Sequence, residues 1–163
     1  MITLTKFNKS YYDTLISWIV SEEMLMQFAG PLFTFPLTYE QLDQSLSVTN
    51  RYAFSAFENE IMIGYAEIYL TEKAAHLGRI IVSEEMRGKG RGEQIVRKLL
   101  EIAFNKFNKC EASLNVFDWN IYAVKCYEKV GFQINPERNL ERHVNGKKWI
   151  ALNMILNKCD WTK

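Results

Sequence analysis

The sequence predicts an α/β protein: a single domain with a mixed, largely antiparallel sheet flanked by helices. Short runs of alternating or β-branched apolar residues recur along the chain, and segments with helical spacing separate them. A chain of 163 residues with 48% hydrophobic residues can bury one sizeable core, and no stretch rich in Pro, Gly or Ser divides it. We therefore expect residues 1–163 to form one domain with the element order β-α-α-β-β-β-α-β-α-β-β.

The first half of the chain supplies the first strands and helices of this order. Ile2 and Leu4 alternate with polar residues, as in a strand. Thr38 is placed to cap a helix, with Gln41 as its capping-box partner. The elements predicted here are an N-terminal strand, helices over 11–20 and from 38, and strands over 51–57 and 61–70 joined by a polar turn at 58–60.

The second half of the chain alternates strands with helices and ends in a hairpin. The β-branched run from His76 to Val82 predicts a strand, and residues 92–107 carry an apolar stripe with helical spacing. The remaining predictions are a strand over 111–117, a helix over 120–131, and a hairpin of 140–144 and 147–156 with Asn145-Gly146 at its turn.

A glycine-rich, basic loop lies between the strand that ends at Val82 and the helix that follows. Its glycines are Gly88, Gly90 and Gly92, and its basic residues are Arg87, Lys89 and Arg91. Glycine lets backbone N–H groups approach an anion, the next helix N-terminus adds a partial positive charge, and Arg and Lys add formal charge. The loop therefore predicts a phosphate site, although it matches neither G-x-x-x-x-G-K-[ST] nor G-x-G-x-x-G. A solvated basic turn is the alternative for such a cluster taken alone.

Two blocks of sequence carry a recognisable pattern across this region. The first is Val82-x4-Arg87-Gly88-x-Gly90-x-Gly92. The second is Leu114-x-Val116-x3-Asn120-x2-Ala123-x3-Tyr127-x-Lys129-x-Gly131-Phe132. In this order and at this separation, the two blocks resemble the GNAT superfamily of acyl-CoA-dependent N-acetyltransferases. The first block is similar to the pyrophosphate-binding motif of that family.

The resemblance implies that acetyl-CoA is the cosubstrate and that the sheet splays open beside the strand ending at Val82. The pantetheine arm would then hydrogen-bond to strand backbone, and Tyr127 would protonate the departing thiolate. A lone tyrosine on a helix is more often half-buried packing. The residues placed at the cofactor are Ile80, Val82, Arg87, Gly88, Lys89, Gly90, Arg91, Gly92 and Asn120.

An acceptor amine is mostly protonated at neutral pH, so a base or a desolvating site must remove its proton. Glu67 is the best carboxylate candidate, because it lies mid-strand where a carboxylate without a function would be costly unless exposed. The alternative is that Glu67 points to solvent on a half-exposed face of the sheet. His76 has the right intrinsic pKa but is expected at the surface.

The acceptor is expected to be a small-molecule or peptide amine that binds between the N-terminal helices and the C-terminal hairpin. Aromatic residues are concentrated in these segments, and a subset of them would line the cleft. They are Trp18, Phe28, Phe33, Phe35, Tyr39 and Trp149.

Composition argues against several other partners. A net charge of +1 gives no general attraction to nucleic acid or acidic membranes. Three cysteines without a C-x-x-C pair and only two histidines indicate neither a disulfide framework nor a metal site. With no long apolar run, we expect a cytoplasmic protein that binds no metal, and a homodimer is a further expectation.

Three other functions remain open at this point. The chain could acetylate the N-termini of ribosomal or other proteins, or bind acyl-CoA as a non-catalytic sensor. It could also hold a dinucleotide, with Glu111 about 20 residues beyond the glycines. Asn120 and Tyr127 beside the loop favour catalysis, and the glycine spacing disfavours a dinucleotide.

Overall fold

Eight strands form one sheet in the computed structural model, which describes residues 1–162. The strands are β1 (Thr3–Lys6), β2 (Arg51–Glu58), β3 (Ile61–Leu70), β4 (Ala74–Val82), β5 (Glu111–Phe117), β6 (Gln133–Ile134), β7 (Leu140–Val144) and β8 (Lys147–Asn157). The helices are α1 (Tyr12–Ser17), α2 (Glu22–Ala29), α3 (Tyr39–Leu46), α4 (Arg91–Glu101) and α5 (Ile121–Val130), and a π-helical turn, Ile102–Lys106, extends α4.

The sheet has the order β1-β2-β3-β4-β5-β8-β6, and β7 also pairs with β8. Strands β4 and β5 are parallel, and all the other pairings of the described residues are antiparallel. The α/β class with a largely antiparallel sheet is therefore confirmed.

The sheet opens between β4 and β5. These strands pair over four residues, from Ala74 opposite Glu111 to Leu77 opposite Leu114. Beyond that point the rest of β4, 78–82, and the rest of β5, 115–117, have no pairing with each other. The splay that the resemblance implies is thus present, and it begins immediately after Leu77.

Strand β4 also carries a bulge next to the opening. Its register against β3 shifts between Tyr65 opposite Ile81 and Glu67 opposite Gly78, so two residues of β4 face Ala66. One of the two, Arg79, has a positive φ of 48°. The bulge turns the Arg79 side chain toward Glu67.

Each face of the sheet has its own core. On one face the strands pack against α4 and α5, with Ile95, Val96, Leu99 and Leu100 fully buried. On the other face, Tyr65 and Ala53 pack against residues of α1, α2 and α3. The opening between β4 and β5 therefore connects two separately packed layers.

Several local predictions are confirmed and others are wrong. Asn145-Gly146 forms the tight turn of the β7–β8 hairpin, with both residues at positive φ. The Thr38 side chain accepts a hydrogen bond from the Gln41 backbone N–H, as a cap should. The Gln41 side chain does not complete the capping box, because it binds the backbone of Thr34 and Pro36 instead. Helix α2 and the short strand β6 were not predicted.

Candidate active site

A cleft of about 1490 Å³ occupies the opening between β4 and β5. Residues of α4 and α5 line it on one face of the sheet, and residues of α2 and the turn after it line the other. Pockets for one drug-sized ligand hold roughly 300–1,000 Å³. The cleft therefore has room for two ligands that meet at the opening.

The glycine-rich loop forms one end of this cleft. Gly88 and Gly90 have φ of 72° and 73°, and Gly90 caps the N-terminus of α4. A Cβ built on either glycine would meet no atom within 4 Å, so the backbone there is open to a ligand. Left-handed backbone beside a helix N-terminus fits the pyrophosphate of acetyl-CoA.

The basic residues of the loop have different environments. The Arg87 Nε donates to the Val82 carbonyl oxygen at 3.0 Å, which closes the base of the loop. Arg91 forms an ion pair with Glu58 at 2.9 Å and donates to the Lys89 carbonyl oxygen. The Lys89 side chain is exposed and does not line the cleft. Arg87 and Arg91 therefore hold the loop in shape while they line the cleft.

Helix α5 places two of the predicted residues at the cleft. Asn120 caps the helix by accepting a hydrogen bond from the Ala123 N–H at 3.3 Å. Tyr127 lies two turns further on, half-buried, and burial raises the pKa of its hydroxyl well above the usual value. That hydroxyl has no hydrogen-bond partner among residues 1–162 and is available to a ligand.

Glu67 is buried, with 2% of its surface exposed, so the alternative in which it points to solvent is wrong. Its carboxylate accepts hydrogen bonds from Arg51, from the Tyr65 hydroxyl and from Arg79, whose Nη1 lies 2.9 Å from Oε1. Glu67 does not itself line the cleft. The two arginines lie between its carboxylate and the open space.

His76 lies half-buried at the floor of the cleft, opposite Ser113 and one residue before the last β4–β5 pair, and not at the surface as expected. Its Nδ1 is 3.0 Å from the Ser113 hydroxyl oxygen. A Cβ on Gly78 would lie 3.9 Å from the His76 Nε2, so this nitrogen is directed along β4 toward the opening. Burial, and secondarily the charge of Arg51, lowers the pKa of His76 and keeps the ring neutral at pH 7.

The structure brings most of the predicted site residues together. Those that line the cleft are Ile80, Val82, Arg87, Gly88, Gly90, Arg91, Gly92, Asn120 and Tyr127. Glu67 and Lys89 are the two that do not. Of the aromatic residues expected at the acceptor, Phe28 and Trp149 line the cleft, whereas Trp18, Phe33, Phe35 and Tyr39 do not.

Sequence reasoning missed two arginines on the acceptor side of the cleft. Arg51 and Arg79 both line the cleft and both bind Glu67. Arg79 stands alone in the apolar run from Leu77 to Val82, which is an unusual place for a charge and the one signal that could have identified it. Arg51 opens β2 directly after Thr49 and Asn50 and carries no such signal.

Among residues 1–162, no group of three or more His, Cys, Asp or Glu side chains could hold a metal ion. Within the same residues, the helices are too short or too polar to span a bilayer.

The molecule has the fold class of the acyl-CoA-dependent transferases. Three features define that class: parallel strands that splay apart, a basic glycine loop at a helix N-terminus, and a helix beside it that carries a tyrosine. The chain matches the model of the acetyltransferase (GNAT) family over residues 15–132, and it belongs to that family.

The curated relatives match part of the chain. The spermine/spermidine N(1)-acetyltransferase of Bacillus subtilis (strain 168) is 31% identical over 72 residues, 44% of this chain and 45% of that protein. The thialysine N-epsilon-acetyltransferase of Mus musculus is 33% identical over 81 residues, 47% of each protein. The chain thus spans less than half the length of these curated relatives.

A solved structure matches almost the whole chain. It is the spermidine N-acetyltransferase from Vibrio cholerae in complex with CoA and spermine, with a TM-score of 0.81 over 98% of this chain and 96% of that one. At 19% identity, this likeness establishes the shared fold.

Proposed function

We propose that the protein transfers an acetyl group from acetyl-CoA to a primary amine by direct attack in a ternary complex. The observation that carries the proposal is the Tyr127 hydroxyl, which has no partner within residues 1–162 and faces the same cleft as the glycine-rich loop. The relatives named above act on spermine, spermidine and thialysine, which supports an amine acceptor.

Acetyl-CoA supplies a thioester carbonyl that is already activated, so the protein needs no covalent intermediate. In this proposal, the loop 87–92 and the N-terminus of α4 hold the pyrophosphate. The backbone of Ile80 and Val82 lies on the edge of β4 that β5 leaves unpaired, and it binds the pantetheine arm. Asn120 fixes the start of α5 beside that arm.

The transfer forms a C–N bond and breaks the C–S bond, and two protons move. Tyr127 donates its proton to the departing thiolate. The hydroxyl is protonated at neutral pH, and burial raises its pKa, which makes it a weaker acid. We therefore assign it first as a hydrogen-bond donor to the charge that develops on sulfur, with the proton passing as the thiol leaves.

The second proton leaves the attacking amine, and His76 is the better-placed group to take it. Its neutral ring lies at the cleft floor, and Ser113 fixes the orientation of its Nδ1. Glu67 remains the other candidate from the sequence. Its position behind Arg51 and Arg79 argues that it orients the arginines instead.

Replacing Tyr127 with Phe tests the proposal. We expect kcat to fall roughly 100-fold, since general acids contribute on that order, while the Kd for acetyl-CoA stays the same. Tyr52→Phe is the matched control, because Tyr52 lies outside the cleft and its hydroxyl also has no hydrogen-bond partner within residues 1–162. Unchanged turnover in Tyr127→Phe would remove the acid role, and no turnover of any amine by the wild type would remove the proposal itself.

We also propose that the protein forms a homo-oligomer, of which a dimer is the simplest case. Trp119, Ile121 and Tyr122 leave an apolar surface exposed at the start of α5. A spermidine N-acetyltransferase from Vibrio cholerae, with a TM-score of 0.75 to this chain, is dodecameric. Light scattering across a concentration series would show a single protomer mass if the proposal is wrong.

A further inference from the structure

The acceptor side of the cleft contains a cluster of two arginines and one glutamate. Arg51 and Arg79 both pair with Glu67, and the arginine side chains are only 16% and 7% exposed. Glu67 is the only buried carboxylate among residues 1–162. The cluster therefore holds one positive charge more than its own carboxylate neutralises.

The guanidinium groups also retain unused donors. Arg51 and Arg79 each bind Glu67 through Nη1, and Arg79 uses the same atom for the Ser45 hydroxyl. A guanidinium has five N–H donors, so most of them have no protein partner within residues 1–162. The Arg51 Nε has no partner but is fully buried and out of reach of a ligand, whereas the other unpaired nitrogens of the two arginines keep some exposed surface.

Nearby groups do not cancel this excess charge. His76 is neutral at pH 7, and its other polar contact is the Ser113 hydroxyl. Glu23 lines the cleft but is exposed and hydrogen-bonded to Asn145. Phe33 covers the Arg79 guanidinium at 4.2 Å from its ring centroid and excludes water from one side.

We infer that the acceptor amine carries a carboxylate, and that Arg79 and Arg51 bind this carboxylate on the acceptor side of the cleft. One excess charge with free, planar donors matches one carboxylate, which a guanidinium binds through paired hydrogen bonds. A cationic cluster with little exposure is costly unless an anion joins it. The inference rests on the proposed function, because it assigns the acceptor of that same cleft.

The same cluster disfavours a polycationic acceptor. An amine with several ammonium groups needs carboxylates along its length, and the buried carboxylate here is already held by two arginines. A second ammonium group beside Arg79 would meet like charge. We therefore expect spermidine to be a poor acceptor.

Matched amines that differ only by a carboxylate test the inference on the wild-type protein. The pairs are β-alanine and ethylamine, 4-aminobutanoate and propylamine, 6-aminohexanoate and pentylamine, and lysine and cadaverine, with spermidine as the polycation. For at least one chain length we expect kcat/KM to favour the carboxylated member roughly tenfold or more. Equal values in all four pairs, or spermidine as the best substrate, would overturn the inference.

Variants then locate the carboxylate site. Arg79→Met should abolish the preference, and Arg79→Lys, which retains the charge beside Glu67, should reduce it through loss of the planar fork. Arg142→Met is the matched control, because Arg142 lines the same cleft but pairs with no buried carboxylate. If Arg142→Met abolishes the preference for carboxylated amines and Arg79→Met does not, the assignment is wrong. If Arg79→Met does not fold, the preference measured in Arg79→Lys takes its place in this comparison.

A binding measurement separates this inference from the proposed function. Hexanoate has the carboxylate but no amine, so its calorimetric binding to the protein with CoA present does not depend on turnover. Binding that Arg79→Lys weakens, without acetylation of any amine, would keep the carboxylate site and remove the proposed function. Acetylation that does not prefer carboxylated amines, together with no hexanoate binding, would keep the proposed function and remove the carboxylate site.

Discussion

The position of Arg79 changes the role that can be assigned to Glu67. It has left-handed backbone at φ 48°, because β4 contains one residue more than β3 at this point. The resulting direction brings its guanidinium over Phe33 and against Glu67. A carboxylate that the sequence marked as a base is thereby enclosed by two cations.

A base role for His76 predicts how the loss of activity in its variant depends on pH. The pKa of His76 is lowered, so its neutral form persists to below the usual value of about 6.5 and is lost as the pH falls through the folded-state pKa. The ratio of wild-type to His76→Asn kcat/KM should therefore be high and constant above pH 6.5 and fall toward one in more acidic buffer.

This comparison is measured from pH 5 to 9 with one acceptor, so that the titration of the amine cancels in each ratio. A ratio for His76→Asn that stays close to one across this range would remove the base role from His76.

For individual residues, the sequence predicted those that belong to local motifs and missed those that meet across the sheet. Tyr127 and Asn120 were predictable because their block of sequence resembles a family motif and helical spacing brings both to one face. The pairing of Arg51, Glu67 and Arg79 depends on strand register and on a bulge, neither of which leaves a local pattern.

Among the elements, the loop and helix α4 were predicted well because glycine spacing and an apolar stripe are local signals. Helix α2 was missed, although Ser21 caps it and Glu22 and Glu23 lie in its first turn. Its eight residues end directly before Gly30-Pro31, a pair that predicts a turn and not a helix. The helix that lines the acceptor side of the cleft was therefore not predicted.

The conformation of the loop leads to a prediction about the backbone. Gly90→Val should weaken acetyl-CoA binding more than Lys89→Ala, because valine rarely adopts the φ of 73° found at Gly90, whereas Lys89 is exposed outside the cleft. Calorimetric Kd values for acetyl-CoA would show this. Equal losses in the two variants would mean that side-chain charge, and not the backbone, holds the pyrophosphate.

For the whole molecule, the short junction of β4 with β5 connects two packed layers, and a ligand in the opening contacts both. Acetyl-CoA and CoA at about 100 times their Kd should each raise the free energy of unfolding by roughly 2.7 kcal/mol. NAD and ATP at the same concentration should leave it unchanged. Thermal unfolding in parallel measures all four, and a shift with NAD or ATP alone would contradict the assignment of the cofactor.

Because the junction of β4 with β5 is only four residues long, the lifetime of the protein in a cell should depend on the concentration of acyl-CoA. The unpaired edges of β4 and β5 lie inside the sheet, and their backbone N–H and C=O groups find hydrogen-bond partners on a ligand in the opening. When acyl-CoA is scarce, this ligand stabilisation should fall, the unfolded population should rise, and proteases should cleave more of the protein. The amount of this protein in a cell should therefore follow the supply of its own acyl donor, without any dedicated regulator.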